Sequence, residues 1–307
     1  MNFLRILNLG SLNMDRVYSV DHFVTAGETI LAKQYDIFLG GKGLNQSLAA
    51  ARAGAKVWHA GAIGFDGDSL RELLDHNGVD TQFLQQLDDV SGHAIIQSAH
   101  GQNCIIVHGG ANSRITPKYI DSVLSHFSPG DYLLLQNEIT CVPYALEQAK
   151  RRGMRIAFNV APITPDMGDY PMECVDYLLV NEVEGKALCG IDRQGNKAVF
   201  EALMNRYPGA AVILTVGSEG AYYGRGTTRL HHGIYDVDVA DTTAAGDTFC
   251  GYFIASISKG LDESRALEYA SLASNLTVSI KGASNSIPFM EDVERFRQEL
   301  NARVRMT

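Results

Sequence analysis

A chain of 307 residues, 46% hydrophobic and 20% charged, is long enough to bury roughly three quarters of the surface its unfolded form would expose, and no stretch has a disordered composition. Its formal net charge of -9 argues against a nucleic-acid partner, whose phosphates favour a basic surface. Anionic small molecules stay open, because a few local donors and a metal can offset repulsion at one site.

The first expected element is a buried strand from Arg5 to Leu9, since the apolar amino terminus meets Asn8, Gly10 and Asn13 too soon to form a signal-peptide core. No apolar run reaches the roughly 18 residues of a membrane helix. Further strands are expected at Lys56 to Ala60, Tyr132 to Leu135, Arg155 to Phe158, Tyr177 to Val180 and Ala211 to Val216. Helices fall between them. Gly54 closes an Ala-rich helix from Asn45, Gly78 closes Leu70 to His76, and Gly153 closes Val142 to Arg152, each where a left-handed terminal residue is needed. Thr116 and Pro117 open another as N-cap and first-turn proline.

This alternation predicts an α/β fold, a doubly wound and mostly parallel sheet flanked by helices, in one domain spanning residues 1–307. Two stretches break the rhythm. Val17 to Phe38 and His93 to Val107 look like strand pairs with turns at Gly27-Glu28 and Gly101-Gln102-Asn103 and no crossover helix. They fit either a small antiparallel β lid, contributed by about 14–38 and 92–109, or irregular edge strands of the main sheet. Five scattered cysteines without a Cys-x-x-Cys pair point to reduced thiols in a cytoplasm rather than to a disulfide frame or a zinc site.

The most informative segment is Asp241-Thr-Thr-Ala-Ala-Gly-Asp-Thr-Phe249, which leads into an apolar helix. Small residues at Ala244, Ala245 and Gly246 expose backbone N–H groups at a helix start, where unpaired donors and the macrodipole favour an anion. Asp247 beside such a cradle is at least a favourable first-turn acid. It also suits a base that accepts a proton from an attacking hydroxyl while the cradle steadies a phosphoryl group. Two common nucleotide motifs are missing. Lys42 is followed by Gly43 rather than Ser or Thr, so there is no P-loop, and no Gly-x-Gly-x-x-Gly follows the first strand.

The string Asp-Thr-x-x-Ala-Gly-Asp closely resembles the carboxy-terminal signature of ribokinase-like (PfkB-type) carbohydrate kinases, and the resemblance runs along almost the whole chain. It implies an ATP-dependent kinase acting on a primary hydroxyl of ribose or a close relative, with Asp247 as base and the Ala244 to Gly246 amides as the anion cradle. Asn181-Glu-Val-Glu184 is similar to the family's Asn-x-x-Glu element, which implies a water-mediated magnesium site at Glu184; by itself it reads as a capping arrangement. Ile213 to Gly220 resembles the strand and turn bordering the nucleotide, implicating Thr215, Gly217 and Gly220 together with Asn181 and Asn275. Asp241, Thr243 and Ser286 resemble a potassium site of the family.

Gly40-Gly-Lys-Gly-Leu-Asn-Gln46 resembles the amino-terminal signature. Adjacent glycines let a polar ligand approach the backbone, and Lys42 and Asn45 offer donors to hydroxyls. By resemblance, Asn13, Asp15, Gly41, Lys42, Asn45 and Glu138 would hold the sugar, with Asp247 facing its reactive hydroxyl. There are departures. Thr-Ala-Gly-Glu28 stands where Pro-Gly-Glu is usual, Asn159-Val-Ala-Pro162 replaces Asn-Pro-Ala-Pro, and His93 occupies a lid position that is usually apolar. The resemblance further implies a homodimer paired through the lids, with neither a nucleic-acid nor a membrane partner. The nearest rival reading is a kinase of the same family for another furanose, a ketose, a deoxy-keto sugar acid or a nucleoside; a silent sugar or nucleotide sensor on the same scaffold is the rival of a different class, and the presence of Asp247 counts against it.

Overall fold

The computed structural model describes residues 4–191 and 195–306. The ends of the expected 1–307 domain, and residues 192–194 within it, lie outside the described residues. In chain order the strands and helices are β1 (Ile6–Leu9), β2 (Asn13–Ser19), β3 (Gln34–Gly40), α1 (Lys42–Arg52), β4 (Val57–Ile63), α2 (Asp68–His76), β5 (Asp80–Gln86), β6 (Gly92–Ala99) and β7 (Gln102–His108). They continue as α3 (Pro117–Leu124), β8 (Tyr132–Gln136), α4 (Val142–Arg151), β9 (Arg155–Asn159), β10 (Tyr177–Asn181), α5 (Glu182–Cys189), α6 (Asn196–Arg206), β11 (Ala211–Thr215), β12 (Ala221–Arg225), β13 (Thr228–His232), α7 (Ala245–Ser258), α8 (Glu263–Val278) and α9 (Met290–Met306).

Nine strands form one sheet in the order β13-β12-β11-β10-β9-β8-β1-β4-β5. Every pairing from β5 to β11 is parallel, and the β12–β13 hairpin adds an antiparallel edge. From β1 the chain winds outward to β4 and β5, then returns to β8 on the opposite side. The order reverses between β1 and β8, and in open α/β sheets ligands bind beyond the strand ends at such a switch point.

Strand alternation divides the core in two. Ile6, Tyr132, Leu134 and Leu179 turn towards α1, α7 and α8, while Leu7, Leu133, Leu135 and Leu178 turn towards α3, α4 and α6. Both faces are covered, which is what a parallel sheet requires. Helix α7 is deeply enclosed, with Thr248 through Ser256 all buried. It lies against α1, and Gly251 marks the closest approach: a Cβ there would sit 2.5 Å from Ala49 Cβ and 2.7 Å from the Gln46 carbonyl oxygen.

The two irregular stretches form a separate four-stranded sheet in the order β3-β2-β6-β7, not edge strands of the main one. It is mixed rather than antiparallel, because β2 and β6 run parallel. Its β6–β7 turn also lies one step earlier than expected. Ala99 pairs with Gln102, so His100 and Gly101 make a two-residue loop with φ of 52° and 75°. A right-twisted hairpin favours such a turn, which leaves Gln102 and Asn103 in β7.

The contact at Gly251 makes a clear forecast. Gly251→Val should cost roughly 1–3 kcal/mol through overpacking, although valine has the higher helix propensity. Chemical denaturation measures this, and unchanged stability would contradict the packing account.

Candidate active site

At the start of α7, Ala244 adopts a left-handed φ of 61° as N-cap and supplies no side-chain cap. Ala245 N–H donates weakly to Thr242 O at 3.3 Å, so it is partly engaged. The N–H groups of Gly246 and Asp247 donate to no backbone carbonyl among the described residues. They are the helix's unpaired donors, suited to an anion.

Asp247 sits in that first turn with part of its surface open, although other groups crowd round it. Its Oδ2 accepts from Asn45 Nδ2 at 3.0 Å and its Oδ1 from Gln46 Nε2 at 3.0 Å. Burial raises its pKa above the usual carboxylate value and Glu138 adds to that, while Lys42 and the two amides oppose the rise. Burial also holds up the Glu184 carboxyl. The Lys42 ammonium is held above its ordinary value by Asp247 first, then by Glu138 and Glu184. One lysine thus stands among three carboxylates, a balance that a bound phosphate would change.

Two adjoining cavities share Asn181, Thr215, Gly246 and Phe249. The smaller, of about 160 Å³, has Asp247, Lys42 and Glu184 on its wall. The larger, of about 630 Å³, is lined by Gly217, Gly220, Tyr235, Val239 and Asn275 among others, and most of its exposed lining is carbon. A compact polar compartment that carries Lys42 and the unpaired Gly246 N–H, beside a larger apolar one, suits a phosphate tail and a flat ring.

On the other side of Asp247, α1 begins where the turn after β1 presses on it. A Cβ at Gly43 would lie 2.4 Å from Ser11 N, and one at Gly41, where φ is 96°, would lie 3.0 Å from Asn13 N. Gly40 likewise clears Asp15, whose Oδ2 would lie 3.0 Å from a Cβ. The glycines therefore let Asn13 and Asp15 lie close to the start of α1, which carries Lys42 and Asn45. Glu138, after β8, is already engaged: its Oε2 accepts from Ser11 Oγ at 2.5 Å and Lys42 N at 3.1 Å, with Lys42 Nζ 3.9 Å from Oε1. Asn13 Oδ1 accepts from Asn112 Nδ2 at 2.8 Å. Asn45 Oδ1 is buried without a partner, an acceptor suited to a ligand hydroxyl.

The other expected positions divide. Asn181 and Glu184 form a reciprocal capping box, with Asn181 Oδ1 accepting from Glu184 N and Glu184 Oε2 accepting from Asn181 N, both at 2.9 Å. Glu184 still lines the small cavity. Thr215, Gly217 and Gly220 border the large one. Asn275 does too, but its amide is occupied, accepting from Tyr235 N and donating to Ser271 O. Asp241 accepts from Thr243 N and Oγ1 through Oδ1 and from Gly282 N through Oδ2, tying its turn to the loop that holds Ser286. Ser286 Oγ donates to the carbonyls of Gly282 and Ala283.

His93 lies on the opposite face of the small sheet from Asp15. In the parallel β2–β6 register it lies beside Met14, and Ala94 lies beside Asp15; its Nδ1 is 3.0 Å from Ser91 O and its ring lies 5.1 Å from His108. The period-2 alternation of a strand decides this. The residues that sequence reasoning passed over are Ser11, Asn112 and Gln46. Gln46 alone had a signal, its place next to Asn45 in the glycine-rich string.

Burial pushes the Asp15 carboxyl up to about 6, with Glu138 adding to the rise. An acid whose folded pKa is raised contributes stability at low pH that is lost as pH climbs through that value. Asp15→Asn should therefore stabilise the ligand-free protein by about 1–3 kcal/mol above neutral pH and have little effect near pH 4. Denaturation at the two pH values checks this; equal effects at both would contradict it.

A family model described as pfkB family carbohydrate kinase matches residues 4–290. A ribokinase from Haemophilus influenzae is 33% identical over 94% of this chain and 96% of its own. Another, from Bacillus subtilis, is 35% identical over 93% and 97%. The structure of Arabidopsis thaliana ribokinase complexed with ribose and ATP superposes with a TM-score of 0.87 at 27% identity, covering 95% of this chain and 98% of the other. The chain belongs to the pfkB family of carbohydrate kinases.

Proposed function

We propose that this protein is an ATP-dependent kinase that phosphorylates a primary hydroxyl of ribose, with Asp247 as the base. The supporting observation is the placement of the Asp247 carboxylate, held by two amide donors from α1 on the wall of a phosphate-sized compartment that adjoins a larger apolar cavity. The relatives named ribokinase support the choice of sugar.

In this reading Asn13, Asp15, Gly41, Lys42, Asn45 and Glu138 hold the sugar. Asp247 takes the hydroxyl proton as the sugar oxygen bonds to the γ-phosphorus and the bond to the ADP oxygen breaks. Ala244, Ala245 and Gly246 present backbone N–H groups to the transferring phosphoryl group, and Lys42 neutralises part of its charge. Asn181, Thr215, Gly217, Gly220 and Asn275 border the nucleotide. Glu184, a carboxylate on the wall of the small cavity, fits a magnesium ion bound through water, which when present neutralises the β- and γ-phosphates. Potassium would belong at the Asp241–Thr243 turn and the loop of Ser286, whose oxygens suit a hard cation.

The proposal extends to the whole molecule. Residues 1–307 act as one domain in which about 14–38 and 92–109 form a lid over the sugar. Tyr35, Ile37 and Ile106 are exposed on one face of that sheet, and Ile105 and Val107 on the other; the first group is an apolar patch suited to pairing of two lids in a homodimer. A cytoplasmic location agrees with five cysteines that are free of disulfides, and among the described residues no helix is long and apolar enough to cross a membrane.

ADP release over a sugar panel tests the reading, with ribose expected to be the best substrate. 2-Deoxyribose should be clearly poorer, because a missing hydroxyl leaves a buried partner unpaired at about 1–3 kcal/mol. If another sugar is phosphorylated far better, the ribose assignment fails; if no sugar is phosphorylated, the kinase assignment fails. Potassium should raise the rate above sodium at matched ionic strength, and equal rates would remove the cation site.

A further inference from the structure

Between α1 and the sheet lies a row of polar side chains that the chemistry above leaves unused. Asn8, Gln46, Ser47 and His59 are fully buried, and Gln136 and Asn159 nearly so. Such a row is costly in an apolar core unless donors and acceptors are matched. Here two backbone carbonyls fix its direction. Leu179 O accepts from Asn159 Nδ2 at 3.1 Å, which turns Asn159 Oδ1 towards Gln46. Gly43 O accepts from Asn8 Nδ2 at 2.8 Å, which turns Asn8 Oδ1 towards Gln136.

A carbonyl oxygen only accepts, so neither amide can be reversed without loss. Gln136 must therefore donate, and its Nε2 reaches Asn8 Oδ1 at 3.0 Å and Gln46 Oε1 at 2.7 Å. Gln46 is then committed at both ends. Its oxygen receives from Gln136, one N–H meets Asn159 Oδ1 at 3.0 Å, and the other points at Asp247 Oδ1, also at 3.0 Å.

We propose that Gln46 is a positioning residue, an obligate donor that keeps the Asp247 carboxylate ionised and oriented, with its own direction imposed by Asn159, Gln136 and Asn8. This rests on the reading of Asp247 as the base. Gln46 has no exposed surface, so it cannot touch sugar or nucleotide and must act through Asp247. The groups that face Asp247 are Lys42, Asn45 and Gln46 from α1, Glu138 from the loop after β8, Glu184 from α5 and Cys250 from α7. Burial and Glu138 favour the protonated acid, and the Gln46 donor is one of three groups opposing them. As the base must be ionised, turnover falls as pH drops through its pKa, and removing a donor moves that fall to higher pH.

The experiment is kcat at saturating sugar and ATP from about pH 5 to about pH 9, where saturation separates Asp247 from the titration of Asp15 in sugar binding. Gln46→Leu should move the acid limb up by about one pH unit, the size of a lost hydrogen bond to a charged group, and leave both KM values within about threefold. An unmoved limb with an equal loss at every pH overturns the inference, as does an unchanged profile. If Gln46→Leu fails to fold, the isosteric Gln46→Glu carries the test. It sets a second acid against Asp247 Oδ1 and must also raise the limb; an unmoved limb overturns the inference. Retained turnover in Asp247→Asn would instead bring down the reading of Asp247 as base. Lost turnover there, with unmoved limbs in the Gln46 variants, brings down this inference alone.

Discussion

A buried carboxylate at a helix start whose unpaired N–H groups suit a second anion is an electrostatic conflict, and the structure resolves it by surrounding Asp247 with fixed donors. Burial favours the neutral acid, which could not accept a proton. The Asn45 and Gln46 amides and the Lys42 ammonium oppose that, and all three come from the first turns of α1. The position of α1 relative to α7 therefore sets the ionisation state of Asp247. Glycines fix that position, Gly43 against the turn at Ser11 and Gly251 against Ala49.

The fold provides these constraints in a definite order. A sheet that reverses its winding between β1 and β8 puts the turn at Ser11 and the loop at Glu138 side by side. Glu138 then joins that turn to the start of α1 by accepting from Ser11 Oγ and Lys42 N. The surroundings of the α1 start are thus built from segments far apart in sequence, and one carboxylate joins them. Part of the hydrogen-bonding capacity of Glu138 and Asn13 is already taken up within the protein, which leaves Asp15, Lys42 and the Asn45 oxygen as the freer groups.

Local features were legible in the sequence because their causes are local. Thr116 accepts from Tyr119 N as an N-cap should, and Gly54, Gly78 and Gly153 adopt positive φ at helix ends. The strings around Asp247 and Asn45 pointed to the family because each runs through a turn into a helix start. Long-range features were hidden. The parallel pairing of β2 with β6 depends on which strands become neighbours, and periodicity carries no such information. The face that His93 takes needs the register of that pairing, one residue being enough to reverse it. Gln46 was passed over for the same reason, since Gln136 and Asn159 reach it from two different strands and Asn8 reaches Gln136 from a third.

The central claim is that Asp247 acts on a proton and is not needed to hold either substrate. Titration calorimetry of Asp247→Asn with ADP and with ribose, set beside its turnover, tests this most directly. The account predicts affinities within a few-fold of the parent and turnover reduced about 10²–10⁴-fold, the usual loss on removing a general base. Turnover close to the parent's, or a loss of activity matched by an equal loss of sugar affinity, would contradict it.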